Sequence, residues 1–128
     1  MREITSHKVN GLNDALTITV IDDPGPGGAS HCYQIEGSLR QTQQCGIVPD
    51  VFCQIDFQNG PIKVAGVNGI SNEALLAIVE DRLACFQSGE YACRENAIAL
   101  TKIQEAMMWL QKRTRDRVSR GVEGTMQK

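Results

Sequence analysis

The stretch Cys93–Arg120, CRENAIALTKIQEAMMWLQKRTRDRVSR, contains no proline and no glycine, and Gly121 follows it. Ala, Leu, Met, Gln, Glu, Lys and Arg dominate it, the residues that lose least on entering a helix, so it predicts one long helix with a glycine stop. Asn96, Leu100, Ile103, Met107, Leu110, Thr114 and Arg117 follow alternating steps of three and four. They form one stripe, amide at its start, apolar through its middle and cationic at its end. At about 1.5 Å per residue, Asn96 and Arg117 lie roughly 30 Å apart. A nucleotide-sized ligand touching both needs a second subunit to supply one of them.

Working outward, Ser88-Gly89-Glu90-Tyr91 is a short break, and Ser71 is an N-cap candidate with Glu73 in the first turn. Ala74, Leu75, Ala77, Ile78, Leu83 and Phe86 supply an apolar face for a helix running to about Gln87, which makes an antiparallel helical hairpin with the long helix. Upstream the chemistry changes to strands. ALTITVID (15–22) and HCYQIE (31–36) read as a hairpin around the wide turn DPGPGGAS. VFCQIDF (51–57) and PIKVAGV (61–67) read as a second hairpin around Gln58-Asn59-Gly60. Ser38–Pro49 is either a loop or a short irregular helix. The expected fold class is α+β, a small antiparallel β-sheet core followed by a C-terminal antiparallel helical hairpin, with a β-rich region over 1–68 and the hairpin domain over 69–128.

Ala106–Leu110, AMMWL, is five apolar residues in a row and points hydrophobic side chains all round the helix. A partner helix and a small sheet cover about half of such a girdle. The remainder, including Met108 or Trp109, is expected to be a subunit contact in a homo-oligomer.

The 128 residues fit one domain, or one with an appendage, and bury about two thirds of the unfolded surface. A formal charge of -2 argues against binding polymeric nucleic acid. The charge is uneven, however, because Lys102, Lys112, Arg113, Arg115, Arg117 and Arg120 face only Glu105 and Asp116 in their own segment, which suits a compact anion. No stretch approaches the length of a membrane span, and MREITSHKVNG has no apolar signal region, so a cytoplasmic location is expected. Five scattered cysteines with no C-x-x-C suggest neither a disulfide frame nor a zinc site, and most are expected to be small buried hydrophobes. Neither a metal nor a cofactor is expected.

Arg113, Arg117 and Arg120 recur at i, i+4 and i+7 and share a face, while Lys112 and Asp116 form an i, i+4 pair on another. The dipole alone favours cations at a helix end. Three arginines together also suit a doubly charged ligand such as a pyrophosphate, and Trp109 one turn earlier stacks on a base, on Arg113, or on a second subunit. Phe86 and Asn96 flank the interhelical loop. Both serve as ordinary packing residues, or as the ring and amide an adenine needs. The loop Pro24–Ser30 lacks the spacing and lysine of a phosphate loop and is first of all a turn, although Ser30 and His31 at its end are placed to meet a phosphate if several copies converge. Catalytic motifs are absent, so a binder is expected rather than an enzyme.

Cys93-Arg94-Glu95-Asn96, Ala99-Leu100-Thr101-Lys102, Gln104-Glu105-Ala106, Trp109-Leu110, Arg113-Thr114, Arg117 and Arg120–Thr125 together resemble the helical hairpin of two groups of phage counter-defence proteins. These are the anti-CBASS sponges and the first-described Thoeris anti-defence proteins. With its strands and the segment Asn59–Val79, the chain is similar to the Thoeris type over nearly its whole length. The resemblance implies a non-enzymatic, homo-oligomeric (hexameric) sponge that binds glycocyclic ADP-ribose, the signal of the TIR-domain sensor, in the host cytosol. It implies a pocket between subunits built from Phe86, Asn96, Arg113 and Arg117. Some members also bind cyclic di- or trinucleotides of CBASS at a second site, placed here around Ser30 and His31. Two other functions compete: an enzyme degrading cyclic nucleotides in the same pocket, and a helical scaffold docking an acidic protein.

Overall fold

A computed structural model describes residues 1–37, 41–42, 46–47 and 51–125. The chain divides into two compact units, Met1–Asn59 and Gly60–Lys128. The expected α+β class holds: a four-stranded antiparallel sheet is followed by a helical hairpin.

In the first unit, β1 (Arg2–Ile4), β2 (Leu16–Val20), β3 (Cys32–Gly37) and β6 (Val51–Asp56) form a sheet in the order β1-β2-β3-β6. β4 (Gln41–Thr42) and β5 (Gly46–Ile47) make a separate two-stranded ladder, and a five-residue helix, α1 (Gly11–Ala15), precedes β2. These short strands are all that is described of the segment 38–49. The register sets Ile4 opposite Ile18, Ile18 opposite Ile35, and Ile35 opposite Cys53, with Val20, Tyr33 and Ile55 forming a parallel row. Residues directly opposite share a face, so these side chains make an apolar face, and Glu3, Thr17, Thr19, Gln34, Glu36 and Gln54 make the polar one. A bulge after Ile35 sets Glu36 against Val51 and bends this edge of the sheet. Tyr33 meets Phe57 edge-on at 5.5 Å. Val20 is the buried apolar residue of the described chain; its neighbours on this face are half-buried or, at Cys53, exposed.

The second hairpin does not form. Pro61–Val67 is not a strand, and its place in the ladder is taken by β3 pairing with β6. Ile62–Ala65 is instead a one-turn helix, α2, entered through Pro61 at φ -66 and closed by Gly66 at φ +74. Proline at the start and glycine past the end is a helix signature, and Gly66 adopts a backbone that a side chain disfavours.

α3 (Asn72–Gln87) starts at Ser71, whose hydroxyl accepts from the Ala74 N–H at 3.1 Å. Its inward face is Leu75, Leu76, Leu83 and Phe86. Ala74, Ala77 and Ile78, expected inside, are exposed, because the packed stripe runs through Leu76, Glu80 and Leu83. α4 (Arg94–Ser119) packs along α3 through most of the expected stripe: Asn96, Leu100, Ile103, Met107 and Leu110 are half-buried and Arg117 is buried, while Thr114 is exposed. Met108 and Trp109 face outward, 65% and 70% exposed. The cysteines do not behave as buried hydrophobes: among the described residues Cys53, Cys85 and Cys93 are exposed. Cys93 is the α4 N-cap, its sulfur accepting from the Asn96 N–H while its own N–H donates to Gln87 Oε1. No described helix is long and apolar enough to cross a membrane.

Candidate functional site

The last turn of α4 closes with two crossed bonds, Val122 N–H to Arg117 O and Gly121 N–H to Val118 O, both 3.0 Å, with Gly121 at φ +74. This Schellman turn sends the chain back over the helix end. Gly124 then docks on α2: its carbonyl accepts from the Lys63 N–H at 3.1 Å, and a Cβ at this position, where φ is +79, would lie 2.9 Å from Ile62 Cγ1.

Arg117 is bound into this returning segment. Its Nε donates to Glu123 Oε2 at 3.0 Å, and its Nη2 donates to the carbonyls of Val122 and Thr125 at 3.0 and 3.1 Å. The three arginines therefore do not share one environment. The acid that answers Arg117 is missing from the helix because the C-terminal turn carries it.

One turn earlier the surface opens. Trp109, Lys112, Arg113, Asp116, Arg117 and Arg120 line a shallow cleft of about 560 Å³, room for a nucleotide-sized ligand. Lys112 pairs with Asp116 at 2.8 Å, and Glu123 answers Arg117. Arg113 and Arg120 have no acidic partner among the described residues, so the cleft keeps two uncompensated positive charges on guanidinium forks suited to phosphate oxygens. Trp109 adds an exposed aromatic wall. A second cleft on the other side of Trp109, about 470 Å³, is lined by Glu105, Met108, Gln111, Lys112 and Arg115 and carries both charge signs.

Phe86 and Asn96 lie at the opposite end of the hairpin, in the last turn of α3 and the first of α4. The Arg82 guanidinium sits 4.9 Å from the Phe86 ring centroid, and Tyr91 meets that ring edge-on at 6.3 Å. The length of the 26-residue α4 keeps this pair away from Arg113 and Arg117 within one copy.

Ser30 and His31 are both buried. Asp22 organises them: its carboxylate accepts from the His31 and Cys32 N–H groups at 2.9 to 3.0 Å, while the Ser30 hydroxyl donates to the Asp22 carbonyl at 3.1 Å. The Cys32 N–H bond, then that of His31, holds the Asp22 carboxyl below the usual carboxylate range. His31 Nδ1 lies 3.8 Å from Asp22 Oδ2, too long for a hydrogen bond, and has no other partner among the described residues. Both side chains thus pack within the turn, the Ser30 hydroxyl on the Asp22 carbonyl and the His31 ring beside Gly25.

Residues 49–115 match the family described as Acb2/Tad1, hairpin domain. Thoeris anti-defense 1 of Bacillus phage SBSphiJ7 is 55% identical over 74 residues, a match covering 58% of this chain and 52% of that protein. The matched segment thus spans about half the length of the relative.

Proposed function

The chain belongs to the Acb2/Tad1 hairpin-domain family, and from this premise we infer that it is a phage counter-defence sponge, which sequesters glycocyclic ADP-ribose without cleaving it and so silences Thoeris. The observation that carries the reading is the pair of unanswered arginines, Arg113 and Arg120, beside Trp109 in an open cleft. Two uncompensated positive charges match the two negative charges of a pyrophosphate diester, and an aromatic wall suits a base. The name of the phage relative supports the same direction.

In this reading Arg113 and Arg120 supply the charge that the pyrophosphate meets on one subunit and Arg117 adds a third guanidinium beside them, while Phe86 of the partner subunit stacks on the adenine and Asn96 of the partner subunit bonds its edge. An antiparallel pair of α4 helices brings these ends together twice, with Met108 and Trp109 between them. The proposal does not draw on Ser30 and His31, and their burial adds nothing to a second site for cyclic oligonucleotides.

The test is release. Protein incubated with glycocyclic ADP-ribose and then heated returns intact ligand if it is a sponge. A hydrolysed product in the supernatant establishes an enzyme instead. Absence of saturable binding in calorimetry favours a scaffold that docks an acidic protein.

A further inference from the structure

Arg117 lines the anion cleft, yet its side chain is only 8% exposed and its Nε and Nη2 are bonded to the C-terminal turn. A guanidinium is planar, with donors on fixed edges, so bonding one edge sets the direction of the whole group. Glu123 supplies the charged partner on that edge. It is itself placed by the Schellman bonds behind it and by the docking of Gly124 on α2 ahead of it. Arg113 and Arg120 have no such brace among the described residues.

We propose that Glu123 is a positioning residue for anion binding: through Nε of Arg117 it orients that guanidinium, so the cleft meets its ligand with one cation already fixed and two that adapt. The inference rests on the sponge reading. Its consequence is an unusual one, since an acidic residue at the rim of an anion site strengthens binding rather than weakening it. Pre-orientation lowers the cost of ordering a long side chain at the moment of binding.

Calorimetric titration of the full chain with glycocyclic ADP-ribose tests it. Glu123→Ala weakens binding roughly five- to ten-fold. Glu123→Gln, which retains an acceptor for Nε at the same reach, binds within about two-fold of wild type. In an Arg117→Ala background, Glu123→Ala adds no further loss, because the route through Arg117 is already gone. Three results overturn the proposal: unchanged affinity in Glu123→Ala, a Glu123→Gln variant as weak as Glu123→Ala, or a Glu123→Ala loss that persists without Arg117. If Glu123→Ala does not fold, Glu123→Asp replaces it, since a carboxylate withdrawn by one methylene is expected to bind less well than the glutamine variant; equal binding overturns the idea. Wild type and Arg113→Ala serve as references. No binding by wild type removes the sponge reading and this inference together, whereas binding that Arg113→Ala weakens and Glu123→Ala does not removes this inference alone.

Discussion

Arg113 and Arg117 sit one helical turn apart on the same face of α4, and their surroundings separate their roles. Arg113→Ala removes a side chain with no acidic partner among the described residues, so stability changes by about 0.5 kcal/mol or less, while ligand affinity falls roughly ten-fold. Arg117→Ala removes the donor to a carboxylate and two carbonyls. The partner Glu123 is 38% exposed and rehydrates in part, so the expected cost is about 2 to 3 kcal/mol, below that of a fully buried pair. Urea unfolding of both variants separates the two cases. Asp22 makes a pH prediction. Its folded carboxyl titrates below the ordinary value of about 3.9. The stability it contributes is therefore fully present above pH 4 and is lost as pH falls through the lowered value. Acid titration followed through the His31 and Cys32 amide resonances tests this, and Asp22→Asn removes the acid-dependent loss. Arginine spacing was legible in the sequence, because it follows the helical period. Glu123 was not, since it lies past Gly121, where periodicity ends and a left-handed glycine decides the chain's direction.

At the scale of elements, α3 and α4 were legible to within a residue or so because caps, propensity and apolar spacing agree. Ser71→Ala tests the α3 cap; losing the hydroxyl to the Ala74 N–H costs about 1 kcal/mol in chemical unfolding. The strands around Ile18 and Ile35 were equally legible from their alternation. α2 was not. Its residues, Ile62, Lys63, Val64 and Ala65, have mixed strand and helix preference, and the glycine backbones that bracket it, Gly60 at φ +87 and Gly66 at φ +74, decide the outcome. The docking of the C-terminal turn on α2 is a tertiary contact without a local signal. Gly124→Ala probes it: the added methyl meets Ile62 and Lys63 and strains a positive φ, so a loss of at least about 1 kcal/mol is expected. If α2 and the turn move apart without cost, stability is unchanged.

For the whole molecule, exposure of apolar side chains bears on assembly. Among the described residues Val20 is the buried apolar one, while Met108, Trp109 and Ile78 are more than half exposed. Neighbouring Met108 and Trp109 form the kind of patch that marks an interface. Met108→Glu is expected to shift the chain toward monomer in native mass measurements and to weaken ligand binding together with assembly, because the proposed pocket draws Phe86 and Asn96 from a second copy. A monomer that binds as tightly as wild type contradicts that geometry. The same measurement with and without glycocyclic ADP-ribose counts subunits and ligands at once.

The uninterrupted 26 residues of α4 also make it a ruler. One residue inserted between Asn96 and Arg113 turns everything beyond it by about 100° and carries both arginines off the stripe. Four inserted residues nearly restore the angle but lengthen the span by about 6 Å, so the two ends of paired helices no longer meet. A change of length is therefore felt at both ends of the helix at once, whereas a substitution acts where it falls.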